Sequence, residues 1–233
     1  IAPRVNAAGR MNHANVAYKL FMAEVGTDAV DLAYELNKNN LERQKATEEL
    51  MKKAVEQVEA LQPVQGKEKN QMNNGVLFAI GKDWPTGIVG LISSKLKEKY
   101  QKPAIVMGEN NEEITGSGRS IKGFDMIGAM QEIPEYFLKF GGHPMACGFT
   151  LKDHSSLEKF KTAMLKKFAE KTKGLDMSPV LDIDAEMELE NVNWELYDVL
   201  EQFKPFGQAN EKPKYLAENL EIYSLEPVGQ EGK

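Results

Sequence analysis

The sequence predicts an α/β fold: a mixed β-sheet flanked by helices, preceded by one long helix and followed by a short β-type segment. Three observations predict it. Residues 76–80 (Val-Leu-Phe-Ala-Ile) and 103–107 (Pro-Ala-Ile-Val-Met) are apolar runs of strand length separated by an amphipathic stretch. Such a strand–helix–strand unit points to a right-handed crossover between parallel strands. Upstream, Leu32, Leu36, Leu41, Leu50, Val55, Val58 and Leu61 recur at mixed three- and four-residue spacing among charges, the pattern of a single long helix. Downstream, residues 181–189 alternate apolar with acidic side chains, as a strand with one wet face would.

Taken in order, residues 1–11 hold two arginines and an asparagine among small residues, with little apolar area to bury. Asn12 or Asn15 can cap a short helix through Glu24, which Val25-Gly26-Thr27 ends. The long helix runs from Asp28 to about Leu61 and is too polar to stand as an independent core. Joining two domains suits it; a coiled-coil arm is the alternative, weakened by the missing strict heptad. Residues 62–74, rich in Gln, Lys, Asn and Gly, read as a solvated linker. The loop 81–85 leads into a helix over 87–100, and Glu109-Asn110-Asn111-Glu112 turns the chain into a strand over 114–120. Residues 124–137 read as a helix broken at Pro134, leading straight into a glycine pair. A strand over 148–151, an amphipathic helix over 155–171, a helix around 194–203 and a last strand near 220–223 complete the expectation.

Composition bounds the function. At 233 residues and 42% hydrophobic the chain can build one or two compact cores, and no apolar run approaches the ~20 residues that span a bilayer. A single cysteine leaves no disulfide framework, so a reducing, cytoplasmic compartment is expected; Cys147 reads as a small core residue. The net charge of −6 at first opposes a nucleic-acid partner, but it is unevenly distributed. Thirteen carboxylates against four lysines put −9 on residues 181–233, which leaves +3 on residues 1–180.

Candidate chemistry concentrates in three segments. The first is Lys139-Phe140-Gly141-Gly142-His143-Pro144-Met145-Ala146-Cys147-Gly148-Phe149. Gly141 and Gly142 can expose bare N–H groups as an anion-binding concavity, and His143 can add a ring N–H. A plain turn joining helix to strand remains the alternative. The second is Thr115-Gly116-Ser117-Gly118-Arg119-Ser120, where two hydroxyls flank an arginine whose planar fork matches phosphate oxygens; a β-turn with a solvated arginine is its alternative. The third is the opening, with Arg4, Asn6 and Arg10. Trp84 is a minor candidate for stacking on a base, with packing the commoner use of a tryptophan beside a proline.

The ordered blocks APR-NAAGR, D-W-x-x-G-I-V-G, GSGRS-I-K-G-F-D, GGH-x-x-A-x-G-F and KPFGQAN-x-x-P resemble the RecJ family of single-strand-specific DNA exonucleases, within the DHH phosphoesterase superfamily. The resemblance implies that residues 1–27 are the tail of a metal-bearing DHH catalytic domain and 28–62 a connecting helix. It makes 75–173 a DHH-associated domain and 180–233 the beginning of an oligonucleotide-binding (OB) barrel, all in a longer protein. Manganese or magnesium would be held by ligands outside this chain, whose three histidines, His13, His143 and His154, form no triplet. The implied activity is 5′-to-3′ digestion of single-stranded DNA in repair and recombination, this portion binding the phosphate backbone beside the active site and being inactive alone. His143 and Arg119 are the catalytic candidates, with Gly141, Gly142, Ser117 and Ser120 as phosphate contacts. Arg4, Asn6 and Arg10 would add contacts from an opposite wall or brace a domain interface.

The match is not complete. Pro85-Thr86 stands where the family usually carries a histidine, Cys147 where alanine is common, and Ala209 and Glu211 where glycine and proline are usual. Single-stranded DNA is the expected partner, a single-strand-binding protein or helicase a further candidate, and the oligomeric state is open. A phosphodiesterase for short RNA or cyclic dinucleotides and a non-catalytic nucleic-acid-binding module remain alternatives; the terminal KPFGQAN block favours the exonuclease.

Overall fold

A computed structural model describes residues 1–11, 13–60, 75–110, 113–207 and 209–226. The chain divides into two compact units, Ile1–Met177 and Ser178–Lys233. The expected linker 62–74, together with Leu61, Asn12 and the second half of the 109–112 turn, lies outside the described residues.

The first unit opens with α1 (Ala2–Met11), α2 (Asn15–Phe21) and the 35-residue α3 (Gly26–Ala60). The opening residues are therefore helical, their small side chains Ala7 and Ala8 fully buried. Asn15 is the first residue of α2 and not its cap; the cap position is Ala14, without a side-chain hydrogen bond, and the helix ends at Phe21. The inner stripe of α3 changes along its length. Leu36 packs with Ala8 and Ala17, while Ala54 and Val58 join the core around α4.

The sheet follows, with β1 (Leu77–Lys82), α4 (Thr86–Tyr100), β2 (Ala104–Glu109), β3 (Ile114–Arg119), α5 (Met126–Gln131), a 3-10 turn at Pro134–Tyr136, β4 (Phe137–His143), β5 (Ala146–Leu151) and α6 (Ser156–Lys171). Strand order is β1-β2-β3-β5-β4. β1 and β2 are parallel across the α4 crossover, and the other pairs are antiparallel. Because side chains alternate across a strand, the sheet has two distinct faces. On one, Ala79, Ala104 and Val106 pack under Ile88, Val89, Ile92 and Leu96 of α4. On the other, Ile105, Met107, Cys147 and Phe149 meet α5 and α6, where Phe137, Phe149 and Phe160 sit with ring centroids 5.2–5.5 Å apart.

Local chemistry sets the helix ends. Asp125 Oδ1 accepts the Gly128 N–H at 2.9 Å and starts α5, and Asp153 Oδ1 accepts the Ser156 N–H at 2.8 Å and starts α6. Hydroxyls of Ser155 and Ser156 donate to the same Asp153 carboxylate and hold its pKa below the usual carboxylate range.

Two expectations are corrected here. The helix over 124–137 is only Met126–Gln131, because Pro134 cannot continue it and the chain turns into β4 at Phe137. Consequently Gly141 and Gly142 form neither a loop concavity nor the alternative plain turn: they lie within β4, paired with Gly148 and Cys147. The turn is one step later, at Pro144-Met145 between β4 and β5.

The second unit holds β6 (Ala185–Glu186), a 3-10 turn at Leu189–Asn191, α7 (Trp194–Glu201) and β7 (Tyr215–Leu216), with β6 and β7 parallel. The strand expected over 181–189 shortens to two residues, since its bonded partner is only that long. No strand forms at 220–223. None of the described residues from 178 onward is buried.

Gly142 has φ of +148°, and a Cβ there would strike the Ala146 carbonyl oxygen and stand 2.6 Å from Cys147 Cα. A Cβ on Gly141 meets nothing within 4 Å. Gly142→Ala is therefore expected to cost about 1–3 kcal/mol and Gly141→Ala less than ~0.5 kcal/mol, as read from urea midpoints.

Candidate nucleic-acid interface

Helix α4 packs on one sheet face over β2 and β3, and on the same face His143 of β4 is exposed while Thr150 of β5 is buried. Gly141 and Gly148 are exposed on that face, and a Cβ on Gly148 would meet only the Gly116 carbonyl oxygen at 3.9 Å. The register then decides which side chains gather there. Arg119 pairs with Ala146 and Ala146 with His143, while Ser117 pairs with Gly148 and Gly148 with Gly141. Directly opposed residues point to the same face, so Arg119 and His143 flank a floor made of Ala146, Gly148 and Gly141.

Arg119 is held in place on this face. Its Nη1 donates to Ser117 Oγ at 2.8 Å and to the Gly118 carbonyl at 2.8 Å. Ser117 Oγ in turn donates to the Cys147 carbonyl at 3.2 Å. Gly90 of α4 makes room for the group: a Cβ there would stand 3.2 Å from Ser117 Oγ and 3.3 Å from Arg119 Nη2. One helical turn earlier, Gly87 plays the same part for α1. A Cβ on Gly87 would run into the Arg10 backbone, and Arg10 Nη1 donates to the Gly87 carbonyl at 3.1 Å. Residues three apart share a helix face, so Arg10 and Arg119 lie against one glycine-lined side of α4.

The other sequence candidates are placed differently. Ser120 is corrected from a phosphate contact to a packing residue: it is 2% exposed and its hydroxyl donates to the Phe124 carbonyl at 2.6 Å. Arg4 Nε donates to Asn37 Oδ1 at 2.8 Å, tying α1 to α3, and Asn6 is exposed on α1. Trp84 is no stacking platform. It is 7% exposed and its ring and backbone crowd Gly81 and Gly108, whose missing Cβ atoms leave the space it fills. Gly148 and Gly90 were not among the sequence candidates. Their signal was present: a glycine interrupting an apolar strand, and the Gly87-x-x-Gly90 spacing inside a helix.

Behind the floor, on the core side, Cys147 is buried and its thiol is pushed up to about 11, chiefly by that burial; the Gly118 backbone hydrogen bond and the Arg119 charge only partly oppose it. Among the described residues no three His, Cys, Asp or Glu side chains gather in a way that would hold a metal ion, so these residues do not fit a divalent cation.

Comparison with known proteins bears on the whole chain. Residues 73–171 match the DHHA1 domain family and residues 183–233 the RecJ OB domain family. The single-stranded-DNA-specific exonuclease RecJ of Bacillus subtilis (strain 168) is 34% identical over 232 residues, 98% of this chain. The chain is a RecJ homologue. RecJ of Haemophilus influenzae is 29% identical over 99% of the chain. The crystal structure of Thermus thermophilus RecJ with Mn2+ superposes with a TM-score of 0.78 over 93% of this chain at 22% identity, and that of the Mg2+ complex with 0.76 over 91%. The chain spans 28% of the Bacillus RecJ, 40% of the Haemophilus RecJ and 30% of the Thermus chain in its Mn2+ complex. The RecJ likeness covers both units, DHHA1 in the first and OB in the second, in the order the sequence predicts. Among the described residues no helix is long and apolar enough to cross a membrane.

A buried thiol raised to about 11 stays protonated at neutral pH, and only the thiolate attacks. Cys147 should therefore react with an aromatic disulfide reagent at pH 7–8 only after the protein is unfolded, a result read directly by absorbance.

Proposed function

We propose that this chain is the DHHA1 and OB portion of a divalent-metal-dependent exonuclease that digests single-stranded DNA from the 5′ end in DNA repair and recombination. In this reading residues 1–27 end a metal-bearing catalytic domain and α3 connects it to the DHHA1 domain. The homologues' names supply the substrate and the Thermus complexes the metals, manganese or magnesium. The ions would be held outside this chain, supplying an activated water and a stabilised leaving oxygen.

One observation carries the assignment of this portion: the row Arg119–Ala146–His143 on one sheet face, with Gly148 and Gly141 beside it. A guanidinium and an imidazole separated by residues with little or no side chain can straddle a phosphate while the sugar lies on bare backbone. Phosphate oxygens accept hydrogen bonds, and arginine offers a planar pair of donors to them. His143 supplies a ring N–H and stabilises charge developing at or beside the scissile phosphate. Arg10 adds positive charge from the α1 side of α4, while Arg4 braces α1 against α3. With +3 on residues 1–180, binding rests on a few placed cations and is sensitive to salt. A cytoplasmic location and contact with a single-strand-binding protein or helicase belong to the same reading.

In the full-length protein, His143→Ala is expected to lower turnover on 5′-labelled single-stranded DNA by roughly 10²-fold with unchanged circular dichroism. Near-normal cleavage would reject the assignment. Hydrolysis of short RNA or a cyclic dinucleotide in preference to DNA would instead favour the phosphodiesterase alternative.

A further inference from the structure

We infer that Ser117 never touches the strand itself but is a positioning residue that holds Arg119 ready for a phosphate; this rests on the function proposed above. The hydrogen bonds argue it. A serine hydroxyl has one proton to give and two lone pairs. Ser117 gives that proton to the Cys147 carbonyl and turns a lone pair to Arg119 Nη1. A phosphate oxygen only accepts, so this hydroxyl has nothing left to offer it.

The arginine is left in the opposite condition. Both Nη1 protons are used, on Ser117 Oγ and on the Gly118 carbonyl. Nε and Nη2 carry the rest of the five guanidinium donors, the edge that grips a phosphate two oxygens at a time. Gly90 keeps the space beside Nη2 and Ser117 Oγ open on the α4 side. An arginine free in solution loses rotamer freedom each time it binds; one already folded back along its own strand has lost it beforehand. Ser117 and Gly90 thus act on the ligand through Arg119, from below and from the side.

The test follows binding of a 5′-phosphorylated oligo-dT to the intact protein by fluorescence anisotropy across a salt series. The variants are Ser117→Ala, Arg119→Ala, the double variant, and Gly90→Ala alone and with Arg119→Ala. Arg119→Ala should weaken binding and lower the slope of log affinity against log salt by about 0.7. Ser117→Ala should weaken binding about fivefold to tenfold with the slope unchanged, because the positive charge is still present. The double variant should bind no worse than Arg119→Ala alone, the signature of one residue acting through another. Gly90→Ala should show the same coupling to Arg119, which keeps the question answerable if Ser117→Ala folds poorly.

Losses that add in the double variants would make Ser117 a direct contact and overturn the inference, as would wild-type binding by Ser117→Ala. In both of those cases a weakened Arg119→Ala leaves the phosphate-binding reading standing. An Arg119→Ala variant with wild-type affinity and slope would overturn that reading and this inference together.

Discussion

The antiparallel register of β3, β5 and β4 is the constraint on which the candidate site depends. Arg119 and His143 are 24 positions apart in sequence, and only the pairings Arg119 with Ala146 and Ala146 with His143 put them in one row. A slip of one residue in either pairing would send one of the two side chains to the core face. That slip is resisted from the core side. Phe149, Cys147 and Phe140 fill the opposite face, and Gly142 fits against the Ala146 carbonyl where no Cβ could.

Glycines divide into those the fold requires and those it does not. Gly116 and Gly118 leave room for Phe149, Met126 and Cys147 in the core, while Gly81 and Gly108 leave room for Trp84. Gly87 and Gly90 let α1 and β3 come close to α4. Gly141 and Gly148 are different: extra atoms on them would meet open space or a distant carbonyl oxygen. Their bareness is not required by the packing, and it leaves that stretch of the exposed face without side chains.

Much of this was legible beforehand. The apolar runs placed β1, β2 and the α4 crossover because burial there follows a local period, and the leucine spacing placed α3 although Leu41 is exposed and Asn39, Asn40 and Thr47 are buried along it. Strand β4 was missed because Gly-Gly codes for freedom and not for direction; in β4 that freedom is used for a close strand pairing. Ser120 looked like a companion of Arg119, yet the next residue along a strand points the other way, into a turn that needs its hydroxyl at Phe124. Residues 181–189 had the alternation of a strand but found a partner only two residues long.

By itself the sequence determined the elements whose pattern is local, among them α3, β1, α4, β2, β3 and α6, and the family resemblance that the DHHA1 and OB matches bear out. Those are properties of local spacing and of ordered motifs. Only the tertiary structure decided that Arg119, His143 and Gly148 share a face, that Ser120 and Trp84 do not, and that Gly90 stands over the guanidinium. The physical reason is that a side chain's face is set by strand register and helix packing, and both are chosen by contacts between residues far apart in the chain.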